Sequence, residues 1–216
     1  MQSSYLQPAA GQPTRAELEI KKSRFIAFVG HISDEESARE FILAIKKQFP
    51  TARHHCSAYI YHVDEAQPVE RSSDDGEPSG TAGGPMLDVL RGSELLDVCA
   101  VVVRYFGGIK LGTGGLVRAY SQAVSEALAS TPLTRRHWRQ LVQFTATHTE
   151  AGRLEAELRG RGWDVADVSY AAAVTFTVAL APGESDRFAA ELSALTQGCA
   201  VARSVGHTWR ETPARA

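Results

Sequence analysis

Side chains that could do chemistry are concentrated in three segments of the first 120 residues: 52–56, 73–83 and 103–120. The first holds an arginine, two histidines and a cysteine, the second holds carboxylates among glycines, and the third combines glycines with lysine and arginine. Carboxylates can hold a metal ion or move protons, whereas cations beside main-chain amides can bind phosphate. The sequence therefore offers two chemistries, one acidic and one anion-binding.

The third segment contains a glycine-rich loop, Gly107 to Gly115, that leads directly into a helix with one apolar stripe from Leu116 to Leu128. Glycine lets the backbone approach a ligand closely, and the first-turn amides of a helix attract anions. We therefore predict a nucleic-acid-binding or phosphate-binding site formed by Arg53, His55, Arg104, Lys110, Gly112, Thr113, Gly114, Gly115 and Arg118. The alternative that stays open is that these glycines only form tight turns beside a packed helix.

This loop is not a Walker A motif, because Thr113-Gly114 stands where that motif requires Lys-Ser/Thr. Charge still favours phosphate. Between Arg104 and Arg139 six basic residues are opposed by Glu126 alone, although the whole chain has a net charge of −2. A nucleic acid would therefore have to bind through a local patch.

The acidic segment predicts a second candidate site, formed by Asp74, Asp75 and Glu77. Its spacing is not that of an EF-hand, so calcium is not expected, but a carboxylate pair could hold magnesium or act as acid and base. The alternative is that these side chains cap turns and helix starts. His54 and His55 are neighbours on a strand and point to opposite faces, so they are not expected to hold one metal ion together, and His55 and Cys56 are not expected to form a catalytic pair. We predict no metal site, no cofactor and no catalytic residue.

The chain shows no sign of a membrane or secretory protein. Its first residues lack a basic segment leading into an apolar one, and the apolar run Val98–Val103 is far shorter than the ~20 residues that a membrane helix needs. The three cysteines are widely spread and form no CxxC pair. We therefore expect a cytoplasmic protein with reduced cysteines and no membrane partner.

Hydrophobic periodicity predicts the elements of the first part. We expect a loose lead-in over 1–14, a hairpin over 17–31, a helix capped by Asp34 and ending before Pro50, and a strand over 56–63. A polar stretch over 64–85 predicts no core element, and a short helix near 86–90, a strand over 97–106 and the helix after the glycine loop follow.

The second part of the chain has a different pattern of predicted elements. Strand patterns at 138–147, 163–169, 172–180 and 200–209 alternate with two helices, one capped by Thr149 and one over 184–195. This βαββαβ order is that of a ferredoxin-like domain. The predicted domains are therefore 1–134, with a core of about 16–131, and 135–216.

Four stretches together resemble the YigZ/IMPACT family: 23–26, 52–56, 73–83 and 101–120. The resemblance implies an α+β protein of two domains. The N-terminal domain would be a sandwich like a ribosomal-protein domain and domain IV of elongation factor G, and the C-terminal domain would be ferredoxin-like. Family members are linked to translational regulation, and the bacterial branch is regarded as nucleic-acid-binding with no established activity.

We therefore expect a non-enzymatic protein that associates with RNA or the ribosome and has a role in translation regulation. Two alternatives stay open. One is a magnesium-dependent enzyme acting on a phosphorylated small molecule, with Asp75 or Glu77 serving the metal or acting as base. The other is a protein-interaction module that binds a protein partner on the sheet of its C-terminal domain.

Overall fold

The computed structural model of the chain describes residues 3–214, which divide into two compact units. The first unit comprises Tyr5–Arg135 with the last described residues, and the second comprises Arg136–Thr212 with the first described residues. Each unit combines an antiparallel sheet with helices, which confirms the predicted two-domain α+β fold.

The chain up to residue 129 contains six strands and three helices among the described residues. The strands are β1 (Ser4–Pro8), β2 (Thr14–Ile20), β3 (Ser23–His31), β4 (His54–Tyr61), β5 (Val69–Ser73) and β6 (Val98–Tyr105). The helices are α1 (Glu35–Gln48), α2 (Gly83–Gly92) and α3 (Thr113–Ala129). Five of the strands form an antiparallel sheet in the order β2-β3-β6-β4-β5.

Helices cover both faces of this sheet, because β3 and β6 are apolar on both sides. One face packs Phe25, Ala27 and Val102 against α2 and α3. The other face packs Ile26 and Val101 against α1. Helix α1 begins where predicted, since Asp34 and Ser37 form a reciprocal capping box at its first turn.

Two predictions for this part were wrong. The expected lead-in contains strand β1, whose Tyr5 is 2% exposed and donates a hydrogen bond to Asp97 at 2.7 Å. The expected coreless stretch contains edge strand β5 and the buried residues Glu77 and Thr81. Tyr5 and Glu77 are buried through single contacts with distant residues rather than within an apolar run, and such contacts leave no periodicity.

The second unit has strands β7 (Leu133–Ala146), β8 (Asp164–Tyr170), β9 (Val174–Leu180) and β10 (Arg203–Pro213), with helices α4 (His148–Gly160) and α5 (Ser185–Thr196). Its sheet runs β7-β9-β8, with β10 also paired to β7. The order is the predicted ferredoxin-like βαββαβ. The core stacks Phe144 on Phe176 with ring centroids 5.0 Å apart. The N-cap position of α4 is Thr147, whose side chain makes no capping hydrogen bond, so the prediction that Thr149 is the cap was wrong.

Candidate nucleic-acid interface

The three polar segments of the first unit meet at one end of its sheet. Strand β6 ends beside the start of both neighbours, since Tyr105 pairs with Arg24 on β3 and Arg104 pairs with His54 on β4. The acidic segment reaches the same end, because the Asp75 carbonyl oxygen lies 2.9 Å from Nδ1 of His54. The glycine-rich loop begins here as well, immediately after β6.

Gly107 holds the glycine-rich loop against the turn between β2 and β3. A Cβ atom at this position would collide with the main chain of Lys22, so a larger residue does not fit. The Gly107 amide donates a hydrogen bond to Ser23 Oγ at 3.2 Å. This contact places Lys21 and Lys22 beside the loop, both exposed and both with positive φ.

The amino end of α3 is open. The helix begins at Thr113, and its N-cap residue Gly112 has φ +75° and no side chain that could cap the first turn. A Cβ atom added at Gly108, Gly112 or Gly114 would meet no heavy atom within 4 Å. The first-turn amides of a helix have no intrahelical acceptor, and Gly112, Thr113 and Gly114 are exposed, so the positive end of the helix dipole is accessible to a ligand.

Exposed cations surround this end, and carboxylates that could neutralise them are scarce. Residues 98–125 contain no aspartate or glutamate. Arg53, Lys110 and Arg118 are exposed, and the ion pairs within residues 3–214 include none of them. These three predicted residues therefore keep their positive charge available to a ligand.

Arg104 has an internal partner instead. Its side chain is 8% exposed and donates to Glu77 Oε1 at 2.6 Å, and the same oxygen accepts from the Tyr120 hydroxyl at 2.7 Å. The guanidinium also lies over the rings of Phe25 and Phe106, at 5.4 and 5.7 Å from their centroids. Arg104 therefore lies in the framework beneath the loop, where Glu77 already neutralises its charge.

His55 also belongs to the framework. It is 8% exposed, its Nε2 lies 3.0 Å from the Phe49 carbonyl oxygen, and its main-chain amide donates to Asp75 Oδ2 at 2.7 Å. The neighbouring Cys56 donates from Sγ to the Asp74 carbonyl oxygen. Burial raises the pKa of the Cys56 thiol to about 12, so this cysteine stays protonated at neutral pH and is not a nucleophile.

Asp74 closes the amino end of α2. Its Oδ1 accepts from the amides of Ala82 and Gly83 at 3.0 and 2.8 Å, and its Oδ2 accepts from Gly80 at 2.8 Å. Burial acts to raise the pKa of Asp74, but the three amides outweigh it and leave the pKa below its ordinary value. The carboxylate is therefore the anion that completes this helix.

The other two acidic residues are also engaged internally. Asp75 accepts from Lys46 Nζ at 2.9 Å as well as from the His55 amide, and these donors outweigh burial and lower its pKa. Glu77 is 3% exposed in its side chain and pairs with Arg104. No group of three or more metal-ligating side chains occurs among residues 3–214. The geometry gives the predicted acidic site a structural role.

Sequence reasoning missed Phe106 and the pair Lys21-Lys22. Phe106 was assigned to the end of a buried strand, but β6 ends at Tyr105 and Phe106 is 52% exposed. The two lysines stand between two alternating strand patterns, which indicates a hairpin turn. The turn could have been identified, but its position beside Gly107 depends on pairing across 84 residues.

Comparison with known proteins agrees with this architecture. The Impact N-terminal domain matches residues 21–128, which is half of the chain. The chain belongs to the IMPACT family. A domain of unknown function, DUF1949, matches residues 144–198 in the second unit of this IMPACT family protein.

IMPACT family relatives cover most of the chain. It is 44% identical over 182 residues to IMPACT family member YvyE of Bacillus subtilis, covering 84% of this chain and 83% of the relative. It is 40% identical over 197 residues to IMPACT family member YigZ of Escherichia coli, covering 90% and 95%. A crystal structure of a hypothetical protein superposes with a TM-score of 0.65 at 37% identity, covering 95% of this chain and 98% of that one. Within residues 3–214, no helix combines the length and apolar character needed to cross a membrane.

Proposed function

We propose that this IMPACT family protein is a non-enzymatic, cytoplasmic protein that associates with RNA or the ribosome and has a role in translation regulation. One observation carries the proposal: the amino end of α3 is uncapped, open to solvent and flanked by exposed cations that no carboxylate of the described residues neutralises. We call this surface, formed by Lys110, Gly112–Gly115 and Arg118, the α3 cradle.

Phosphate is the chemistry that suits the α3 cradle. Amides at a helix start and the helix dipole favour an anion, and lysine and arginine add charge around it. A chain with a net charge of −2 gains nothing from its overall field, so the attraction must come from this patch. Nucleic-acid backbones supply such anions in series, and the affinity for them depends strongly on salt.

Catalysis has no comparable support. Asp74, Asp75 and Glu77 are held by main-chain amides, by Lys46 and by Arg104. A carboxylate that already neutralises an internal donor would have to give up that partner before it could bind magnesium or take a proton from a substrate. Binding rather than chemistry is therefore the activity that the geometry favours.

The proposal is tested by reversing charge at the α3 cradle in Lys110→Glu, Arg118→Glu and the double variant. Binding is measured by ribosome co-sedimentation and by fluorescence anisotropy with a labelled single-stranded RNA of about 12 nucleotides, a length within known site sizes. The double variant should bind on the order of tenfold more weakly at moderate salt. Log affinity falls as log salt rises, and each lost contact should make that fall less steep by about 0.7.

Lys47→Glu is the matched control, because it makes the same change of charge on α1, which packs on the opposite face of the sheet. Its affinity and salt slope should stay close to those of the unaltered protein. Equal losses for Lys47→Glu and the α3 cradle variants would show that net charge alone matters. Undiminished binding by the double variant would remove the basis of the proposal.

A further inference from the structure

An exposed aromatic residue, Phe106, lies four residues before Lys110 of the α3 cradle. Phe106 is 52% exposed and Ile109, three residues further along the same loop, is 44% exposed. Large apolar side chains in a loop of glycines gain nothing for the core by this placement. Exposed aromatic rings beside cations are typical of surfaces that bind unpaired bases.

The Phe106 ring has a fixed support behind it. The Arg104 guanidinium lies 5.7 Å from its centroid and 5.4 Å from the centroid of Phe25, which meets Tyr120 edge-on at 5.3 Å. Arg104 is itself held by the buried ion pair with Glu77. Its Nε is buried without a hydrogen-bond partner among residues 3–214, so the aromatic faces provide the rest of its environment.

This support leaves one side of the ring for a ligand. Because the Arg104 guanidinium lies over the Phe106 ring on one side and 52% of the residue is exposed, the opposite side is where a ligand would contact the ring. Lys22 lies beside Gly107, the residue next to Phe106, and Lys110 follows Ile109. The surface therefore offers a flat apolar face inside a positively charged rim.

Single-stranded RNA has the complementary chemistry. An unpaired base provides a flat apolar face and its flanking phosphates provide negative charge, whereas a duplex buries its base faces by stacking. An acidic protein segment would satisfy the cations, but it would not require a planar face. The Phe106 ring together with the lysines around it therefore favours a nucleic acid strand with an unstacked base.

We propose that Phe106 is the stacking platform for one unpaired base of a single-stranded RNA whose backbone follows the cations of the α3 cradle. This inference rests on the proposed function and refines its ligand class. It assigns base contact to Phe106 and phosphate contact to Lys110 and Arg118, so the two contributions can be separated by experiment.

Three labelled probes separate them: a single-stranded RNA of about 12 nucleotides, a strand of the same length with abasic positions, and the RNA annealed into a duplex. Phe106→Leu removes the ring but keeps an apolar side chain, and Phe106→Trp keeps a ring. Phe106→Leu should weaken single-strand binding about fivefold or more without changing the salt slope, and it should leave abasic-strand binding unchanged. Phe106→Trp should retain the affinity.

Leu43→Ala is the control for loss of an exposed apolar side chain on α1, and thermal unfolding verifies that each variant is folded. If Phe106→Leu binds the single strand as tightly as the unaltered protein while Lys110→Glu does not, the stacking inference fails and the proposed function stands. If the unaltered protein prefers the duplex, the inference also fails. If it binds none of the three probes and does not co-sediment with ribosomes, both fail and a protein partner becomes the remaining ligand class.

Discussion

Helices α2 and α3 both begin after a glycine-rich loop, but their amino ends differ in one respect. The first turn of α2 is closed by Asp74, a residue of its own loop, whereas the first turn of α3 has no side-chain cap among the described residues. Similar glycine content therefore serves two purposes. At α2 the loop folds back so that the Asp74 carboxylate binds the first-turn amides. At α3 the loop supplies no such carboxylate, so the first turn can bind an anion from a ligand.

The loop before α2 can fold back because its residues take unusual backbone angles. Asp75, Gly76 and Gly80 all have positive φ, and the resulting turn brings the Asp74 carboxylate to amides six to nine residues ahead. The loop before α3 has comparable freedom at Gly108 and Gly112 but contains no carboxylate. Removing a carboxylate from the loop before α2 should therefore lower the stability of the fold, whereas adding one at the start of α3 should raise it.

The largest effect is expected from Glu77→Gln. The substitution leaves the Arg104 charge buried without a counter-ion, which should lower the free energy of unfolding by about 3–5 kcal/mol. Chemical denaturation measures the change. Pairing Glu77→Leu with Arg104→Met should recover much of the loss, because no charge is then left in the core. A loss below about 1 kcal/mol in Glu77→Gln would contradict a buried ion pair.

A smaller effect is expected from Asp74→Ala, which removes the anion of α2 and should cost about 2 kcal/mol at neutral pH. Asp88→Ala, on an exposed face of the same helix, should cost much less, since its pair with Arg91 lies in solvent. Denaturant unfolding of both variants provides the comparison. Equal costs would show that the Asp74 contacts contribute no more than a surface ion pair.

The cost of Asp74→Ala should also depend on pH. The pKa of Asp74 is lowered from 3.8 in the folded protein, so the unfolded chain takes up the proton first as the pH falls. The stabilisation is therefore complete above pH 3.8 and is lost as the pH falls through the folded pKa. Stability curves of Asp74→Ala and the unaltered protein should converge in acid, and parallel curves would contradict the shift.

The smallest effect is expected from Thr113→Asp, which gives α3 an anion of its own at the first helical position. The carboxylate should stabilise the helix by about 0.5 kcal/mol and weaken RNA binding, because it occupies the positive end of the dipole. Thr113→Asn, which is uncharged, is the control for both measurements. A variant that gained stability yet bound RNA normally would place the ligand elsewhere.

Patterns of local origin predicted much of this fold. The capping box at Asp34 and the alternating strands of the second unit depend on neighbours in sequence, and the structure contains both. Tyr5 and Glu77 were missed as buried residues because their partners, Asp97 and Arg104, lie 92 and 27 residues away. Periodicity cannot reveal single contacts of that range.

The same limit applies to the candidate site. The sequence identified arginine and lysine around the glycine loop, but it did not indicate which of them turn inward. Arg104 is six residues from Lys110, yet one is buried against Glu77 and the other is exposed. That difference follows from strand register and from the end of β6 at Tyr105, which are properties of the assembled sheet.

Arg104 touches both Glu77 and the ring of Phe106, so one side chain serves the integrity of the core and the shape of the surface. Substitutions that reorient the ring through Arg104 would endanger folding, whereas Lys110 and Arg118 can change without that penalty. Substitutions that change the affinity for the ligand without unfolding the chain should therefore accumulate at Lys110 and Arg118 and be absent at Arg104.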